Sequence, residues 1–353
     1  MEPYVETVIR EAQQQSPAFP GTIETVYIGG GTPSVLPERL LIKLVQGISR
    51  IFPLHGVTEF TTEANPGAVS EHWIQTAAGL GINRFSFGMQ AYQNKLLHIL
   101  GRIHCYDDVR KAVTAAQDTG ASVNLDLMFG IPEQTAEDWH ETLERALELR
   151  PDHISAYGLI QESGTEMDRR LSSGQWRLPE PEEEREMYET AIQLLKENSL
   201  FQYEISNFSK PGKECLHNIG YWKQIPYLGL GLSAASMTPI SKKKSGLQYQ
   251  RMKNPDTFEQ YYNIINRKGA ARETETIRLD EARFETMMLR LRMTEGIRED
   301  DFLFMHGITL TDAYGEQIEK NIREGFLSRI DGCLRLTRKG MDFQNTVLMD
   351  LMV

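Results

Sequence analysis

Short runs of β-branched and aromatic residues alternate, in the first half of the chain, with segments whose apolar residues recur every three or four positions. The short runs predict buried strands, and the longer segments predict amphipathic helices between them. Five strands alternating with four helices predict an α/β fold with a parallel sheet. The predicted strands are Thr25–Ile28, Val57–Glu63, Arg84–Gln90, Ser122–Phe129 and His153–Ile160.

Polar side chains stand at or just beyond the carboxyl ends of these predicted strands. They are Thr32, Glu63, Gln90, Asp126 and the Gly158–Gln161 end of the fifth strand. In β/α barrels this edge of the sheet carries the active site, and an open doubly wound sheet also binds ligands there. Both architectures remain open at this point, and neither of them alone identifies a function.

Three consecutive glycines follow the first predicted strand. Gly29, Gly30 and Gly31 are followed by Thr32 and Pro33. Glycine allows the backbone to reach positive φ and lets a ligand approach bare N–H and C=O groups, while proline fixes the direction of the exit. A ligand-binding loop is one interpretation. A tight turn between a strand and a helix is the other, and the glycines alone do not decide between them.

The regular alternation ends after the fifth strand, and three segments are predicted. Residues 1–200 form the α/β domain, and residues 201–270 form a loop-rich connection with one further strand, Tyr203–Phe208. Residues 271–353 are mainly helical, with helices at 281–292 and 311–324 and a hairpin at 327–337, which is the plan of a winged-helix module. Winged helices bind DNA or serve as interaction modules, and the acidic charge of this chain favours the second role.

The composition excludes several classes of protein. The 353 residues contain 38 Lys and Arg against 49 Asp and Glu, a net charge of −11 that argues against general nucleic-acid binding. No apolar run approaches the roughly 18 residues of a membrane span. The first residues are acidic, which argues against a signal peptide. Three cysteines far apart in sequence predict reduced thiols and a cytoplasmic location.

Six short motifs follow one another along nearly the whole chain. They are Tyr27–Pro33, Glu63–Pro66, Ser86–Gln90, Gly101–His104, Asp126–Pro132 and His217–Trp222. Together they resemble the motifs of the radical SAM family. Within it they resemble the branch of the oxygen-independent coproporphyrinogen III oxidases and their relatives, the heme chaperones of the HemW type. Each motif is weak alone, whereas six in the same order and spacing are specific.

The resemblance implies an incomplete parallel β/α barrel of the radical SAM type, with its first strand missing, that binds S-adenosylmethionine and a 4Fe–4S cluster. The glycine loop would lie along the methionine part of S-adenosylmethionine, and Glu63 would accept hydrogen bonds from its ribose hydroxyls or amine. Arg102 would bind its carboxylate, because a guanidinium pairs with a carboxylate through two hydrogen bonds. Gln90 and Asp126 match family positions around the same cofactor.

Each of these side chains also has an ordinary structural interpretation. Glu63 could cap the turn that follows it, Arg102 could be a solvated loop cation, and Asp126 could be a buried acid paired within the barrel. A glutamine such as Gln90 at a strand end requires no ligand. The five sites together support the prediction of an S-adenosylmethionine site more strongly than any one of them does alone.

The cysteines depart from the family pattern. Radical SAM proteins hold their cluster with a Cys-x3-Cys-x2-Cys loop, which leaves one iron open for S-adenosylmethionine. Cys105, Cys215 and Cys333 do not form such a loop, so the iron–sulfur ligands are absent from this chain. We therefore expect no reductive cleavage of S-adenosylmethionine, and no 5′-deoxyadenosine, from the chain as given.

Two explanations for the missing cluster ligands are open. The chain is an amino-terminal truncation, or it is a homologue that has lost the cluster and kept the scaffold. The start of the sequence on a predicted helix, Pro3 to Ala12, favours truncation. The cluster would then belong to a full-length form that carries the missing segment.

The motif His217-Asn218-Ile219-Gly220-Tyr221-Trp222 resembles the signature of the HemW-type chaperones. Imidazole is a common axial ligand of heme iron, and Tyr221 and Trp222 could line an apolar porphyrin face. The resemblance thus implies a chaperone that binds heme through His217 and delivers it to respiratory proteins. The alternatives are an oxygen-independent coproporphyrinogen III oxidase, or a packing motif on an inert scaffold.

Overall fold

The structure, a computed structural model, describes residues 1–54, 56–243, 246–267 and 272–352. The chain forms two compact units. The first, here called the barrel unit, comprises Ile23–Gln46 and Leu54–Cys215; the second, the terminal unit, comprises Met1–Thr22, Gly47–Pro53 and Leu216–Val353. The domain bounds 1–200, 201–270 and 271–353 remain predictions, and the boundary between residues 270 and 271 lies outside the described residues.

One seven-stranded sheet runs through the barrel unit. The strand order β1-β2-β3-β4-β5-β7-β6 follows the sequence over its first five strands, which are parallel to one another. A doubly wound sheet would reverse its order at a switch point, so this order identifies an incomplete barrel and confirms the predicted α/β class. The strands are β1 (Thr25–Ile28), β2 (Glu59–Ala64), β3 (Arg84–Gln90), β4 (Ser122–Phe129), β5 (His153–Gly158), β6 (Phe201–Glu204) and β7 (Asn207–Ser209).

Helices alternate with the strands over the first two hundred residues, and capping residues predict where two of them begin, at Ser70 and at Thr135 with Asp138 three residues on. Ser70 Oγ accepts a hydrogen bond from Trp73 N at 3.0 Å. The predicted capping box is present, because Thr135 and Asp138 each accept from the other's backbone N–H at 3.1 Å. These helices are α1 (Glu2–Gln15), α2 (Glu38–Ser49), α3 (Glu71–Gly79), α4 (Asn94–Ile99), α5 (Tyr106–Asp118), α6 (Ala136–Glu148), α7 (Glu166–Ser172) and α8 (Pro181–Glu197).

The two faces of the barrel sheet differ sharply in polarity. Successive side chains of a strand point to opposite faces. One face carries fully buried apolar side chains, such as Phe87 and Leu125, which pack in one core with apolar side chains of the surrounding helices. The other, here called the inner face, is polar. The register places Glu63, Ser86, Asn124 and His153 side by side across it on β2 to β5.

The terminal unit contains two small antiparallel sheets, with strand orders β10-β9-β8 and β11-β13-β12. The predicted helices and the hairpin near the end of the chain are present, in agreement with a winged-helix plan. Its elements are α9 (Leu216–Trp222), β8 (Ala235–Lys243), β9 (Gly246–Lys253), α10 (Phe258–Asn266), β10 (Glu273–Thr276), α11 (Leu279–Arg290), β11 (Ile297–Arg298), α12 (Glu299–His306), α13 (Leu310–Arg323), β12 (Leu327–Ile330), β13 (Cys333–Leu336), α14 (Arg338–Asp342) and α15 (Gln344–Leu351).

Two local predictions were wrong. Tyr203–Phe208 is not one strand but the hairpin of β6 and β7, because the Glu204 carboxylate turns back and accepts from Ser206 N at 2.9 Å and from the Asn207 amide. The segment 201–270 is not loop-rich throughout, since its described residues also contain α9, β8, β9 and α10. The seven residues of α9 are too few to give a recognisable helical period.

A buried carboxylate anchors α1 within the terminal unit. Glu11 is fully buried, and its two oxygens accept four hydrogen bonds. Oε1 accepts from Asn254 Nδ2 and from Arg272 Nη2, both at 2.7 Å. Oε2 accepts from Gly231 N at 2.8 Å and from the Tyr261 hydroxyl at 2.6 Å. The charge is therefore paired and hydrogen-bonded, as burial requires.

None of the helices in the described ranges is long and apolar enough to cross a membrane.

Candidate functional site

The glycine loop at the end of β1 has one position without room for a side chain. A Cβ on Gly29 would lie 2.4 Å from Tyr27 Cε1 and 2.6 Å from Glu63 Oε1. Gly30 has a φ of +79°, which favours glycine, and a Cβ on Gly30 or Gly31 would meet open space. The loop thus packs closely against Glu63 on one side and presents exposed backbone on the other.

The exit of the loop is fixed to the neighbouring strand. Thr32 precedes a single 3-10 turn that begins at Pro33. Within that turn, Ser34 is buried and its hydroxyl oxygen accepts from Asn65 N at 3.0 Å. Because Asn65 directly follows β2, this bond holds the loop against the carboxyl end of the second strand.

Glu63 lies beneath the glycine loop. Its carboxylate accepts from the Tyr27 hydroxyl at 2.9 Å and from Gly30 N at 3.2 Å. Burial raises the pKa of Glu63, the hydrogen bond from Tyr27 lowers it, and the negative charge of Asp126 raises it further. The site therefore holds two acidic groups that oppose each other's ionisation, an environment that a cationic ligand would relieve.

Asp126 lies on the inner face, half-buried, and is held by neighbouring side chains. Its carboxylate accepts from the Ser86 hydroxyl at 2.9 Å and from Asn124 Nδ2 at 2.8 Å. Burial raises the pKa of Asp126, whereas these hydrogen bonds and the positive charge of Arg84 act in the opposite direction. The carboxylate is thus fixed in orientation by donors on β3 and β4.

Gln90 ends β3 in an unusual backbone conformation. Its φ of 64° lies in the left-handed region, where residues other than glycine are uncommon, and the pairing with β4 shifts register between Gly88 and Gln90. The buried side chain folds back so that its Nε2 lies 2.7 Å from where a Gly88 Cβ would be. Gly88 pairs in register with Asp126, so Gln90 belongs to the same edge of the sheet.

Arg102 is exposed, in the loop between α4 and α5. Within the described part of the chain, its guanidinium makes no hydrogen bond or ion pair. His104, two residues on, is buried with its Nε2 3.3 Å from Met89 O, which places this loop at the carboxyl end of β3. The structure thus brings Gly29–Gly31, Glu63, Gln90 and Asp126 to one end of the sheet, with Arg102 on a loop beside it and outside direct contact.

The inner face holds further polar side chains that the sequence reasoning did not assign to the site. Tyr27, Asn124 and His153 contact the predicted acids directly or through one another. Arg84 is nine-tenths buried on the same face, and its charge affects Asp126. The signal was present, because each predicted strand alternates polar and apolar residues, whereas strands covered on both faces are apolar throughout.

The residues of the predicted heme motif lie on α9, a helix of which no residue is fully buried. His217 Nε2 lies 3.0 Å from the Tyr221 hydroxyl, and their rings meet edge to face with centroids 4.8 Å apart. Tyr221 also meets Tyr227 edge to face at 4.8 Å. Trp222 lies elsewhere, with the Arg292 guanidinium 4.7 Å from its ring centroid. His217 and Tyr221 therefore form one aromatic cluster, and Trp222 packs separately.

The cysteines do not fit a 4Fe–4S cluster. Cys105 and Cys215 belong to the barrel unit and Cys333 to the terminal unit. Cys105 precedes α5 and its thiol lies 3.3 Å from Asp108, while the buried Cys215 thiol lies 3.4 Å from Glu59. Among the described residues, no group of three or more His, Cys, Asp or Glu side chains could hold a metal ion. No cluster chemistry is assigned to these residues.

Two family models match separate parts of the chain. The Radical SAM superfamily matches residues 2–146, and the HemN C-terminal domain matches residues 277–343. A solved structure of coproporphyrinogen III oxidase (HemN) from Escherichia coli, a radical SAM enzyme, superimposes with a TM-score of 0.83 at 20% identity, over 99% of this chain and 82% of that one. The first family model identifies residues 2–146 as a radical SAM domain, and the solved structure agrees with this chain in fold.

Curated relatives narrow this class. The heme chaperone HemW of Synechocystis sp. is 37% identical over 83% of this chain and 70% of its own length. HemW of Bacillus subtilis is 33% identical over 92% of this chain and 84% of its own length, and HemW of Escherichia coli is 31% identical over 92% and 83%. The chain belongs to the HemW family.

Proposed function

We propose that this chain is a heme-binding chaperone of the HemW type, with His217 on α9 as the ligand of the heme iron. The observation that carries the proposal is the aromatic cluster of His217 and Tyr221 on a helix of which no residue is fully buried. An apolar porphyrin needs such an incompletely covered aromatic surface, and the relatives above carry the name heme chaperone. Respiratory heme proteins are the proposed recipients.

Heme binding would replace one contact of this cluster. His217 Nε2 lies within hydrogen-bond distance of the Tyr221 hydroxyl. An imidazole nitrogen that binds iron gives up its hydrogen bond, so the Tyr221 hydroxyl would turn to another acceptor while its ring stays as an apolar wall. Trp222 would contribute through the rigidity of its packing with Arg292 rather than as a direct wall.

Replacement of His217 by alanine is expected to weaken hemin binding by at least about 10-fold, because iron loses its nitrogen ligand. Hemin titration of the full chain, followed by absorbance in the Soret region, measures this. Tyr221→Phe keeps the ring and should keep the spectrum. His140→Ala is the matched control, since His140 is an exposed histidine that pairs with Glu144 at 3.5 Å. A His217→Ala spectrum identical to wild type would count against this ligand.

We also propose that the barrel unit binds S-adenosylmethionine through Gly29–Pro33, Glu63, Gln90, Arg102 and Asp126. The backbone of Gly30 and Gly31 is exposed and has open space above it, which suits a ligand lying along the chain. The two acids, with raised pKa values, suit the cationic amine and sulfonium, and the exposed guanidinium of Arg102 suits the carboxylate. These residues fit S-adenosylmethionine, whereas the three cysteines do not fit a 4Fe–4S cluster.

Arg102→Ala is expected to weaken S-adenosylmethionine binding by about 10- to 100-fold, the usual value of a hydrogen bond to a charged group. Arg102→Lys should recover only part of the affinity, because an ammonium cannot form the two parallel hydrogen bonds of a guanidinium. Equilibrium dialysis of the full chain with labelled S-adenosylmethionine measures both. Arg110→Ala is the control, because Arg110 is exposed on α5 and pairs only with Asp107 at 3.2 Å among the described residues. Equal affinity in all variants would exclude Arg102.

The oxidase alternative has less support. Its argument is the likeness to coproporphyrinogen III oxidase, which at 20% identity concerns the fold alone. The chaperone proposal needs only a heme site.

A further inference from the structure

A directed series of hydrogen bonds crosses the inner face of the barrel sheet and ends at Asp126. Cys215 N donates to the Tyr203 hydroxyl oxygen at 3.2 Å, and that hydroxyl lies 2.8 Å from His153 Nε2. His153 Nδ1 lies 2.6 Å from Asn124 Oδ1. Asn124 Nδ2 then donates to Asp126 Oδ1 at 2.8 Å. All of these side chains belong to the barrel unit.

We propose that His153 is a positioning residue for the S-adenosylmethionine site: as a neutral imidazole with its proton on Nδ1, it fixes the Asn124 amide so that the amide nitrogen faces Asp126. The inference rests on the proposed binding of S-adenosylmethionine by Asp126. His153 lies at the first position of β5, at the opposite end of that strand from Gly158.

The two ends of the series determine every proton between them. The hydrogen bond from Ser86 and the positive charge of Arg84 favour the ionised form of Asp126 against the effect of burial. An ionised carboxylate only accepts hydrogen bonds, so the end of the Asn124 side chain that faces it is the NH2 group. The Asn124 oxygen therefore faces His153, and Nδ1 must carry the proton. Nε2 is then an acceptor and takes the hydrogen of the Tyr203 hydroxyl. Cys215 N–H donates to the same hydroxyl oxygen.

The surroundings of Asn124 agree with this orientation. On the nitrogen side, Asn124 Nδ2 also donates to Ser86 Oγ at 2.7 Å, and Ser86 in turn donates to Asp126 Oδ2 at 2.9 Å. On the oxygen side, the Ser155 hydroxyl donates to Asn124 Oδ1 at 3.3 Å. Donors thus face the oxygen and acceptors face the nitrogen.

The environment of His153 keeps it neutral. The side chain is almost completely buried, and Arg84 lies on the same face at the start of β3. Burial, followed by the positive charge of Arg84, lowers the pKa of His153 well below its ordinary value. A neutral imidazole has one donor and one acceptor, which is what this position requires; an imidazolium would present a second donor to Tyr203.

Loss of the Nδ1 donor would leave Asn124 without its strongest orienting contact. The amide could then rotate and place its oxygen beside Asp126, where two acceptors repel each other and favour protonation of the acid. A protonated Asp126 is a weaker partner for a cationic ligand. His153 would thus change the affinity for the ligand through its hydrogen bond to Asn124.

Two substitutions of His153 separate positioning from simple packing. The side-chain nitrogen of asparagine occupies nearly the place of histidine Nδ1, so His153→Asn should keep S-adenosylmethionine affinity within about threefold, whereas His153→Leu should weaken it by about 10-fold. Equilibrium dialysis with the full chain measures both, alongside thermal melting. His306→Leu is the control, because His306 is a buried histidine of the terminal unit that contacts Thr286 Oγ1 at 2.8 Å. Equal losses in His153→Asn and His153→Leu would overturn the proposal.

A second readout does not depend on S-adenosylmethionine. Long-range nitrogen–proton NMR of the chain labelled with 15N-histidine reports which ring nitrogen carries the proton, and His153→Asn assigns the signal. We expect the Nδ1–H tautomer at pH 7, unchanged on acidification to pH 5. An Nε2–H tautomer or an imidazolium would refute the orientation of Asn124. If wild type fails to bind S-adenosylmethionine but shows the Nδ1–H tautomer, the proposed cofactor site fails and the hydrogen-bond order stands.

Discussion

Replacement of Glu11 by alanine should lower the free energy of unfolding of the terminal unit by about 3–5 kcal/mol, as expected when one partner of a buried ion pair is removed. The substitution leaves the Arg272 guanidinium, only 10% exposed, without its carboxylate. It also leaves Asn254 Nδ2, Gly231 N and the Tyr261 hydroxyl without their acceptor.

Hydrogen exchange measured by mass spectrometry tests this effect locally. Peptides that cover α1 and α10 should lose protection in Glu11→Ala, because Glu11 on α1 joins these segments. Glu11→Gln keeps one acceptor oxygen, places an NH2 group at the position of the other oxygen and removes the charge. Its protection from exchange should therefore fall between those of Glu11→Ala and wild type. Glu6→Ala is the matched control, since Glu6 is an exposed glutamate of the same helix. Unchanged protection of α1 in Glu11→Ala would show that its packing, rather than the carboxylate, holds it.

A series of alanine substitutions through the glycine loop should give three distinct results. Gly29→Ala is expected to cost about 1–3 kcal/mol of stability, because its Cβ would overlap Tyr27 and the Glu63 carboxylate. Gly30→Ala should cost about 1 kcal/mol from the strain of positive φ alone. Gly31→Ala should be nearly neutral, since its Cβ meets open space and its φ is not in the left-handed region.

Chemical denaturation of the three variants, followed by Trp73 and Trp139 fluorescence in the barrel unit, measures this order. Gly29→Ala should also weaken S-adenosylmethionine binding, because movement of Glu63 away from the added methyl group breaks its bonds to Tyr27 and Gly30. Gly31→Ala serves as the internal control for stability. A Gly29→Ala variant as stable as Gly31→Ala would mean that the loop is not packed as described.

Local signals in the sequence were sufficient for the architecture. The alternation of strand-like and helix-like patterns predicts the five parallel strands. The capping side chains of Ser70 and Thr135 predict the starts of α3 and α6. The glycine loop, Glu63, Gln90 and Asp126 were assigned to one edge because parallel strands end together. Their contacts with a cofactor remain predictions, as does the role of Arg102.

Other features depended on contacts between residues far apart in sequence. The bend between β6 and β7 arises from the Glu204 carboxylate. Because this carboxylate is completely buried, it accepts a hydrogen bond from Ser206 N instead of from water. The short helix α9 has too few residues to show a recognisable helical period. The left-handed backbone of Gln90 results from the shift in pairing between β3 and β4, which no local pattern encodes. The hydrogen bonds that link His153 to Asp126 through Asn124 could be predicted only if the register between β4 and β5 were known.

The opposite polarity of the two faces of the barrel sheet also constrains how this chain can fold and evolve. A slip of one residue in β3 or β4 would turn Arg84 or Asp126 into the apolar layer beneath the helices and bring Phe85 or Leu125 to the inner face in its place. Each such slip would bury an unpaired charge, so these misaligned pairings are costly. Single-residue insertions and deletions should therefore be confined to the connecting loops, and residues of the proposed ligand site also serve to align the strands.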